Sequence, residues 1–299
     1  MIKLRVATRG SRLSLEQVSI AMRYIEQRLG EHVEYEPIII KTKGDVVQDR
    51  ALYSIGVKGI FEKEVNMAVL DGRADAAVHS MKDLPSRLEE DLEIAFVPPR
   101  EVPNDSLVIG PRSPEVAGLE GIPPGLSVGT SSVRRSAFVR HNNRGVVIKT
   151  IRGNVDTRIS KLNRGEADYL IMAEAGLRRL GIQQRRVLLP LDKFPPEPGQ
   201  GIIAVVMSTS SPLFKKLSEV TDRVTHAMAI AERTFVELVG AGCHSPIGAV
   251  SMTYGTGGLL MIAAAASQDG EVMNFAEAKG NLSEPRKVAQ ALAQSLRVP

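Results

Sequence analysis

Tryptophan is absent from this 299-residue chain, cysteine occurs once, and aromatic residues make up only 4% of it. So few rings leave little with which to build the stacking platforms that hold single-stranded nucleic acids. A lone thiol, Cys243, cannot close an internal disulfide, which agrees with a reducing, cytoplasmic address. No apolar run approaches the roughly 20 residues of a membrane-spanning helix. The N-terminal Met1 to Val6 turns polar at Thr8-Arg9-Gly10-Ser11 before the core of a signal peptide could form. Neither a membrane partner nor a metal site is expected.

What is present describes a globular chain. Hydrophobic residues make up 43% and charged residues 24%, enough to bury substantial cores over about two or three domains. The net charge of +4 admits an anionic partner, and its placement narrows the choice. Between residues 131 and 164 stand Arg134, Arg135, Arg140, Arg144, Lys149, Arg152, Arg158, Lys161 and Arg164, against the single acid Asp156. A merely solvated helix face mixes both signs. Phe138 is the one aromatic in that stretch, so a small, multiply charged anion fits it better than nucleic acid.

A unit of strand, short polar loop and helix recurs. Ile2 to Thr8 reads as a strand, Arg9-Gly10-Ser11 as a loop, and Leu15, Val18, Met22, Ile25 and Leu29 as one face of a helix that Gly30 ends. Leu126 to Gly129 runs into Thr130-Ser131-Ser132 and a helix that carries Arg134 and Arg135 in its first turns. Val146 to Ile151 runs into Arg152-Gly153-Asn154 and a helix with Val155, Ile159 and Leu162. Each loop offers a capping Ser, Thr or Asn beside an arginine. Strands alternating with helices predict open α/β sheets, in which ligands bind outside the carboxyl ends of the strands and anions at helix N-termini.

Two further segments could carry chemistry. Ala74 to Val78 leads into His79-Ser80-Met81-Lys82-Asp83-Leu84-Pro85, where Asp83 is either a catalytic carboxylate or a surface partner of Lys82. His79 reads as a hydrogen-bonded structural histidine. Cys243, in Gly240-Ala241-Gly242-Cys243-His244-Ser245-Pro246, is either a reachable thiol in a small-residue loop or a small buried hydrophobe.

Prolines mark the boundaries: Val97 to Pro103, then Phe194 to Gly201. They predict a first lobe of residues 1–98 with 200–218, because Ile202 to Met207 reads as a strand returning to the first sheet. A second lobe spans 104–195, and two crossings between lobes would make a hinge. Residues 222–299 form a third, smaller α+β domain: a helix through Val239, the cysteine loop, strands near 247–254, 259–266 and 271–279, and a helix from Pro285.

Nine motifs in order now carry a resemblance. They are Ala7-Thr8-Arg9-Gly10-Ser11, Thr42-Lys43-Gly44-Asp45, Val57-Lys58-Gly59-Ile60-Phe61, the segment His79 to Pro85, Gly129 to Arg135, Ile151 to Val155 with Thr157-Arg158, Ala175 to Gly181, Gly199-Gln200-Gly201, and Gly242-Cys243 with Pro246-Ile247-Gly248. Together they resemble the hydroxymethylbilane synthase, or porphobilinogen deaminase, family along essentially the whole chain. The resemblance implies two α/β lobes like those of periplasmic binding proteins, followed by the small C-terminal domain. It implies a transferase that joins four porphobilinogen molecules head to tail with loss of ammonia, on a dipyrromethane cofactor linked to Cys243, then releases the linear tetrapyrrole with water.

The same resemblance implies that Asp83 is catalytic. It implies that Arg9, Ser11, Lys58, Lys82, Thr130, Ser131, Ser132, Arg134, Arg135, Arg152, Gly153, Asn154, Arg158, Arg179 and Gln200 bind cofactor or substrate. The chemistry suits these residue types, because planar guanidinium groups take up the acetate and propionate arms bidentately without losing their protons. An ionised carboxylate can meet the positive charge that develops on a pyrrole ring. Three positions depart from the family pattern: Ser54 where lysine is common, Ala241 in place of a glycine, and Val206 where glutamate is common. A monomer is expected. A solute-binding protein would explain the hinge and arginines but not Cys243 or Asp83, and a nucleic-acid binder would explain only the basic stretch.

Overall fold

The computed structural model describes residues 1–40, 60–240 and 245–299. Two compact units emerge, one of Met1–Glu101 with Gly201–Ala229, the other of Val102–Gln200 with Ile230–Pro299.

The first unit opens with β1 (Ile2–Thr8), whose Ile2, Leu4 and Val6 point into the core while Lys3 and Arg5 face solvent, the two-residue period of a strand. Helix α1 (Arg12–Leu29) follows. The Ser11 hydroxyl caps it by accepting from the Ser14 N–H at 3.1 Å, and Gly30 closes its far end. Its stripe of Val18, Ala21, Met22 and Ile25 is buried against the sheet, the helical spacing turned into packing. The unit continues with β2 (Val33–Ile39), α2 (Ile60–Leu70), β3 (Ala76–Ser80), a single 3-10 turn over Met81–Asp83, β4 (Leu92–Phe96), β10 (Ile203–Ser208) and α6 (Phe214–Ser218). Strand order is β2-β1-β3-β10-β4. β1 runs parallel to β2 and β3, while β10 returns to this sheet, as the sequence predicts, and lies antiparallel between β3 and β4. Ile203 to Met207 are all buried because separate apolar clusters cover the two faces of this central strand.

In the second unit β5 (Asp105–Ile109), β6 (Ser127–Gly129), β7 (Val147–Lys149), β8 (Tyr169–Ala173) and β9 (Arg186–Leu188) form a sheet of order β7-β6-β8-β5-β9. Helix α3 (Val133–Asn142) follows β6, α4 (Val155–Asn163) follows β7, and α5 (Glu174–Arg179) follows β8. β6 is parallel to β7 and β8, whereas β5 is antiparallel to β8 and β9. The same unit holds the antiparallel sheet of β11 (Ile247–Tyr254), β12 (Gly258–Ala266) and β13 (Met273–Asn281), with α8 (Pro285–Ser295). Helix α7 (Arg223–Val239) begins in the residues of the first unit and ends in those of the second.

Ala264 and Ala266 of β12 share a core with Phe138, Phe194 and Tyr169, so the small sheet packs directly on the second lobe. Phe138 and Phe194 meet edge to face at 5.3 Å, worth about 1 kcal/mol beyond the area they bury. The approach is close where β11 begins: Ala249 donates its N–H to Pro196 O at 2.9 Å, and a Cβ on Gly248 would lie 2.1 Å from Pro195 O. The two α/β lobes and the three-stranded C-terminal sheet are the architecture that the sequence predicts. Val206, one of the three departures noted in the sequence, is a buried core residue of β10.

Candidate functional site

Parallel strands send their carboxyl ends to one edge of a sheet, and several of the predicted residues that the structure describes lie at those edges. In the first unit β1 delivers Thr8 and then Arg9, which is half-buried, while Ser11 caps the helix beyond it. Beside it β3 ends at Ser80, and the Met81–Asp83 turn carries half-buried Lys82 and exposed Asp83. Backbone hydrogen bonds fix that turn: Met81 N–H donates to Ile202 O at 2.9 Å, and Leu84 N–H to Met81 O at 3.0 Å. Asp83 therefore stands on an anchored backbone with its carboxylate in solvent. Gln17 of α1 donates to the Ser80 hydroxyl at 2.8 Å and ties helix to strand end.

His79 faces the other side of β3. It is buried, with Nε2 2.8 Å from Asn66 Oδ1, and the Asn66 amide donates to Glu89 at 2.8 Å. Burial, with a smaller push from the Arg9 charge, lowers its pKa to about 3. A neutral imidazole held by one amide is the structural histidine that the sequence predicts.

In the second unit the carboxyl ends of β6, β7 and β8 feed three helices, the first two entered through arginine-bearing turns and the third carrying its arginines in its last turn. Buried Thr130 accepts the Ser132 N–H at 3.1 Å, half-buried Ser131 follows it, and the Ser132 hydroxyl caps α3 by accepting from Arg135 N–H at 3.3 Å. Asn154 caps α4, accepting from the Thr157 N–H at 3.3 Å and from its hydroxyl at 2.7 Å. Gly153 has φ +118°, and a Cβ there would lie 2.7 Å from the Thr157 side chain, so the turn requires glycine. Arg152 is exposed, and Arg158 reaches back to donate from Nε to Gly153 O at 2.7 Å. Arg179, half-buried, sits in the last turn of α5. Lys58 and Cys243 lie outside the described residues, as do Ser54 and Ala241.

Arg134 and Arg135 are not solvent-facing cations. Both turn onto Asp105, the first residue of β5, which is 0% exposed. β5 runs against β8, with Asp105 opposite Ala173, so its start lies on the same edge as the arginine loops. Arg134 donates to Asp105 Oδ2 at 2.7 Å and Arg135 to Oδ1 at 2.6 Å. The second terminal nitrogen of Arg134 donates to Pro195 O at 2.9 Å, and that of Arg135 to Ile171 O at 3.0 Å. Arg134 also lies over the rings of Phe138 and Phe194, 5.6 and 5.8 Å from their centroids, and its Nε stands 3.5 Å from Glu197. Burial alone would raise the Asp105 carboxyl. The Arg135 and Arg134 charges outweigh it and hold the group far below the usual carboxylate range.

Gln200, expected at the ligand, donates its side-chain amide to Asp105 at 2.9 Å and to Pro103 O at 2.8 Å and is wholly buried. It stands one step behind the arginines. Sequence reasoning missed Asp105 and Glu197. An acid opening the otherwise apolar run Ser106-Leu107-Val108-Ile109, just after Pro103, was the available signal for the first.

The donor set fits a group that carries several carboxylates. The Nε of Arg135 is buried and makes no hydrogen bond among the described residues, so one nitrogen of a held guanidinium has no acceptor from them. Two guanidinium groups share one fully buried carboxylate at the N-terminus of α3, where unpaired amides and the helix dipole add to the positive potential.

Comparison with known proteins agrees with this chemistry. The family model described as porphobilinogen deaminase, dipyromethane cofactor binding domain, matches residues 4–216, and that described as porphobilinogen deaminase, C-terminal domain, matches residues 226–297. A protein of Hyperthermus butylicus named "Probable porphobilinogen deaminase" is 46% identical over 297 residues, covering 99% of this chain and 97% of its own. A protein of Methanothermobacter thermautotrophicus with the same name is 38% identical, with 97% of each chain covered. Among solved structures, the second substrate binding domain of a putative amino acid ABC transporter from Streptococcus pneumoniae matches 73% of this chain and 92% of its own at a TM-score of 0.44 and 15% identity, a likeness too distant to carry an argument.

Proposed function

The chain belongs to the porphobilinogen deaminase family, and on that premise we propose that it is a hydroxymethylbilane synthase. It condenses four porphobilinogen molecules head to tail, with loss of one ammonia from each, and releases linear hydroxymethylbilane by addition of water. The observation that carries the reading is the pair of arginine-bearing helix-entry loops on one edge of the second sheet, in a chain that the two family models cover almost throughout. When bound, the dipyrromethane cofactor supplies the pyrrole carbon from which the chain grows.

The chain's own residues have separable jobs. Cys243 is the attachment point that the family resemblance assigns. Arg135 and Arg158 bind carboxylate arms of the cofactor, and Arg134, packed between two rings and tied to Asp105, supports Arg135 from behind. Arg9, Arg152 and Arg179 orient the arms of each incoming porphobilinogen. Lys58, Lys82, the hydroxyls of Ser11, Thr130, Ser131 and Ser132, and the backbone around Gly153 and Asn154 add hydrogen bonds to the same carboxylates. Asp83, exposed on its anchored turn, stabilises positive charge on the pyrrole N–H groups and accepts the proton that each ring sheds. No helix of the described residues is long and apolar enough to cross a membrane. We place the enzyme in the cytoplasm as a monomer, with no nucleic-acid partner.

The test is an intact mass. Purified protein should exceed its sequence mass by two porphobilinogen units less the ammonia lost, and Cys243→Ser should not. An unmodified wild-type mass in protein that turns over porphobilinogen would sink the assignment of Cys243.

A further inference from the structure

Arginine has five N–H donors on a planar fork, so fixing two of its nitrogens fixes where the third points. Arg135 is held in that way. Its backbone N–H caps onto Ser132, one terminal nitrogen meets Asp105 Oδ1 at 2.6 Å and the other meets Ile171 O at 3.0 Å, leaving Nε as the nitrogen without an acceptor among the described residues. Of its two terminal contacts only Asp105 carries charge. Asp105 is itself held from two more sides, by Arg134 at 2.7 Å and by the Gln200 amide at 2.9 Å. One fully buried carboxylate thus joins two guanidinium groups, and Glu197 stands 3.5 Å from the Nε of Arg134.

We propose that Asp105 is a positioning residue for the reaction: it holds Arg135, with Arg134 behind it, so that the remaining guanidinium donor is oriented for a ligand carboxylate. The inference rests on the reading above, in which this edge receives carboxylates of porphobilinogen-derived rings. Its energetic content is preorganisation. An arginine surrenders its rotamer freedom when it is ordered, and Asp105 makes the fold bear that cost before any ligand arrives. Asp105 never touches the ligand, so its removal should appear in cofactor loading and in KM more than in the chemical step.

The experiment compares wild type, Asp105→Asn, Asp105→Glu, Gln200→Met, Arg135→Gln and the double variant Asp105→Asn/Arg135→Gln. The readouts are the folded fraction by circular dichroism and thermal melting, the cofactor-bearing fraction by intact mass, and kcat and KM of the loaded molecules. Asp105→Asn should load incompletely and raise KM about tenfold or more, the size expected when a hydrogen bond to a charged group is lost, with a smaller change in kcat. Asp105→Glu should restore part of the loading. The double variant should be no worse than Arg135→Gln alone, because one residue acts through the other. Lower thermal stability with normal loading and KM in Asp105→Asn, or additive effects in the double variant, would overturn the proposal. Should Asp105→Asn fail to fold, Gln200→Met decides: it keeps the carboxylate, removes two donors and should raise KM several-fold, and an unchanged KM overturns the proposal. A wild-type protein with neither adduct nor turnover would instead bring down the family reading, a result visible before any variant is made.

Discussion

Two aspartates stand on the carboxyl edges of the two mixed sheets, and they are built for opposite tasks. Asp83 rides an exposed 3-10 turn after β3, whereas Asp105 opens β5 with no exposed surface and two guanidinium groups upon it. A carboxylate held far below its ordinary range by Arg135 and Arg134 cannot take and release protons near neutral pH. Asp83 is thus the carboxylate open to a ligand and Asp105 the one committed to cations of the fold, although the two share a residue type and a place in their sheets.

The sharpest way to break this comparison is Asp83→Asn, which keeps the shape and removes the charge. Turnover should fall at least about a hundredfold, the lower end for a positioned acid–base group, in protein that still folds and bears the cofactor. Stability should move by less than about 0.5 kcal/mol, since the side chain is exposed. Turnover and denaturant midpoints measured across the pH range decide the matter, and near-normal activity would move the proton transfers elsewhere.

Glu174 sharpens the other half. Ser106, next to Asp105 on β5, donates to Glu174 at 2.7 Å, and Glu174 also accepts from Arg178 and Arg186, each at 2.8 Å. Asp105 of β5 and Glu174 of α5, which its neighbour Ser106 bonds, thus each accept from two arginines. Burial would raise the Glu174 carboxyl, but hydrogen bonds from Arg186, Arg178 and Ser106 hold it low. Breaking a buried pair costs about 3–5 kcal/mol, and the exposure of Arg178 lowers the expected loss in Glu174→Gln to roughly 2 kcal/mol. KM should stay within about twofold. Denaturant titration beside steady-state kinetics would separate this purely structural cluster from that of Asp105, and a tenfold rise in KM would erase the distinction between them.

His79 gives the comparison a pH axis. Its folded pKa is about 3 while the unfolded side chain titrates near 6.5, so below that value the unfolded chain gains a proton that the folded chain refuses. Stability should fall by about 2 kcal/mol between pH 7 and 5 and continue to fall until about pH 3. His226, lowered by burial, acts in the same direction. The paired carboxylates of Asp105 and Glu174 begin to lose their stabilisation only as pH falls through the ordinary carboxylate range, at about 4, so the limb above about pH 5 belongs to the histidines. His79→Gln retains a donor for Asn66 and should flatten the upper acid limb in denaturation measured at stepped pH. An unchanged limb would place the linkage on other groups.

Much of this was legible in sequence because it rests on local rules. The spacing of Val18, Met22 and Ile25 gives α1, the Ser, Thr and Asn caps locate the arginine loops, and the apolar run at Ile202 to Met207 returns to the first sheet as β10. What escaped depends on contacts remote in sequence. The basic stretch from 131 to 164 holds only Asp156 as a counterion, yet its first two arginines are answered by Asp105, 29 residues before Arg134. Gln200 reads as a ligand contact in its glycine turn, and its amide is committed to Asp105 and Pro103 by a chain reversal that no periodicity reveals.

The smallest expected effects come from the two capping serines, one at the head of each sheet's first arginine-bearing loop. The Ser11 and Ser132 hydroxyls each accept a backbone N–H, at 3.1 and 3.3 Å, so replacement of either by alanine should cost about 1 kcal/mol of stability. They differ in the hydrogen left over. Ser11 shares its hydroxyl with that of Ser14 at 2.7 Å, either oxygen being able to donate, while within the described residues no acceptor takes the hydrogen of Ser132. A serine that caps a helix through its oxygen can still donate its hydrogen to a ligand carboxylate, and Ser132 is the better placed to do both. Ser132→Ala should therefore raise KM about threefold to tenfold, the worth of one modest hydrogen bond, and Ser11→Ala by less than that. Thermal melts and KM values on matched, cofactor-loaded preparations provide the measurement. Equal KM values beside equal losses of stability would reduce both serines to caps and leave carboxylate recognition at this edge to the arginines.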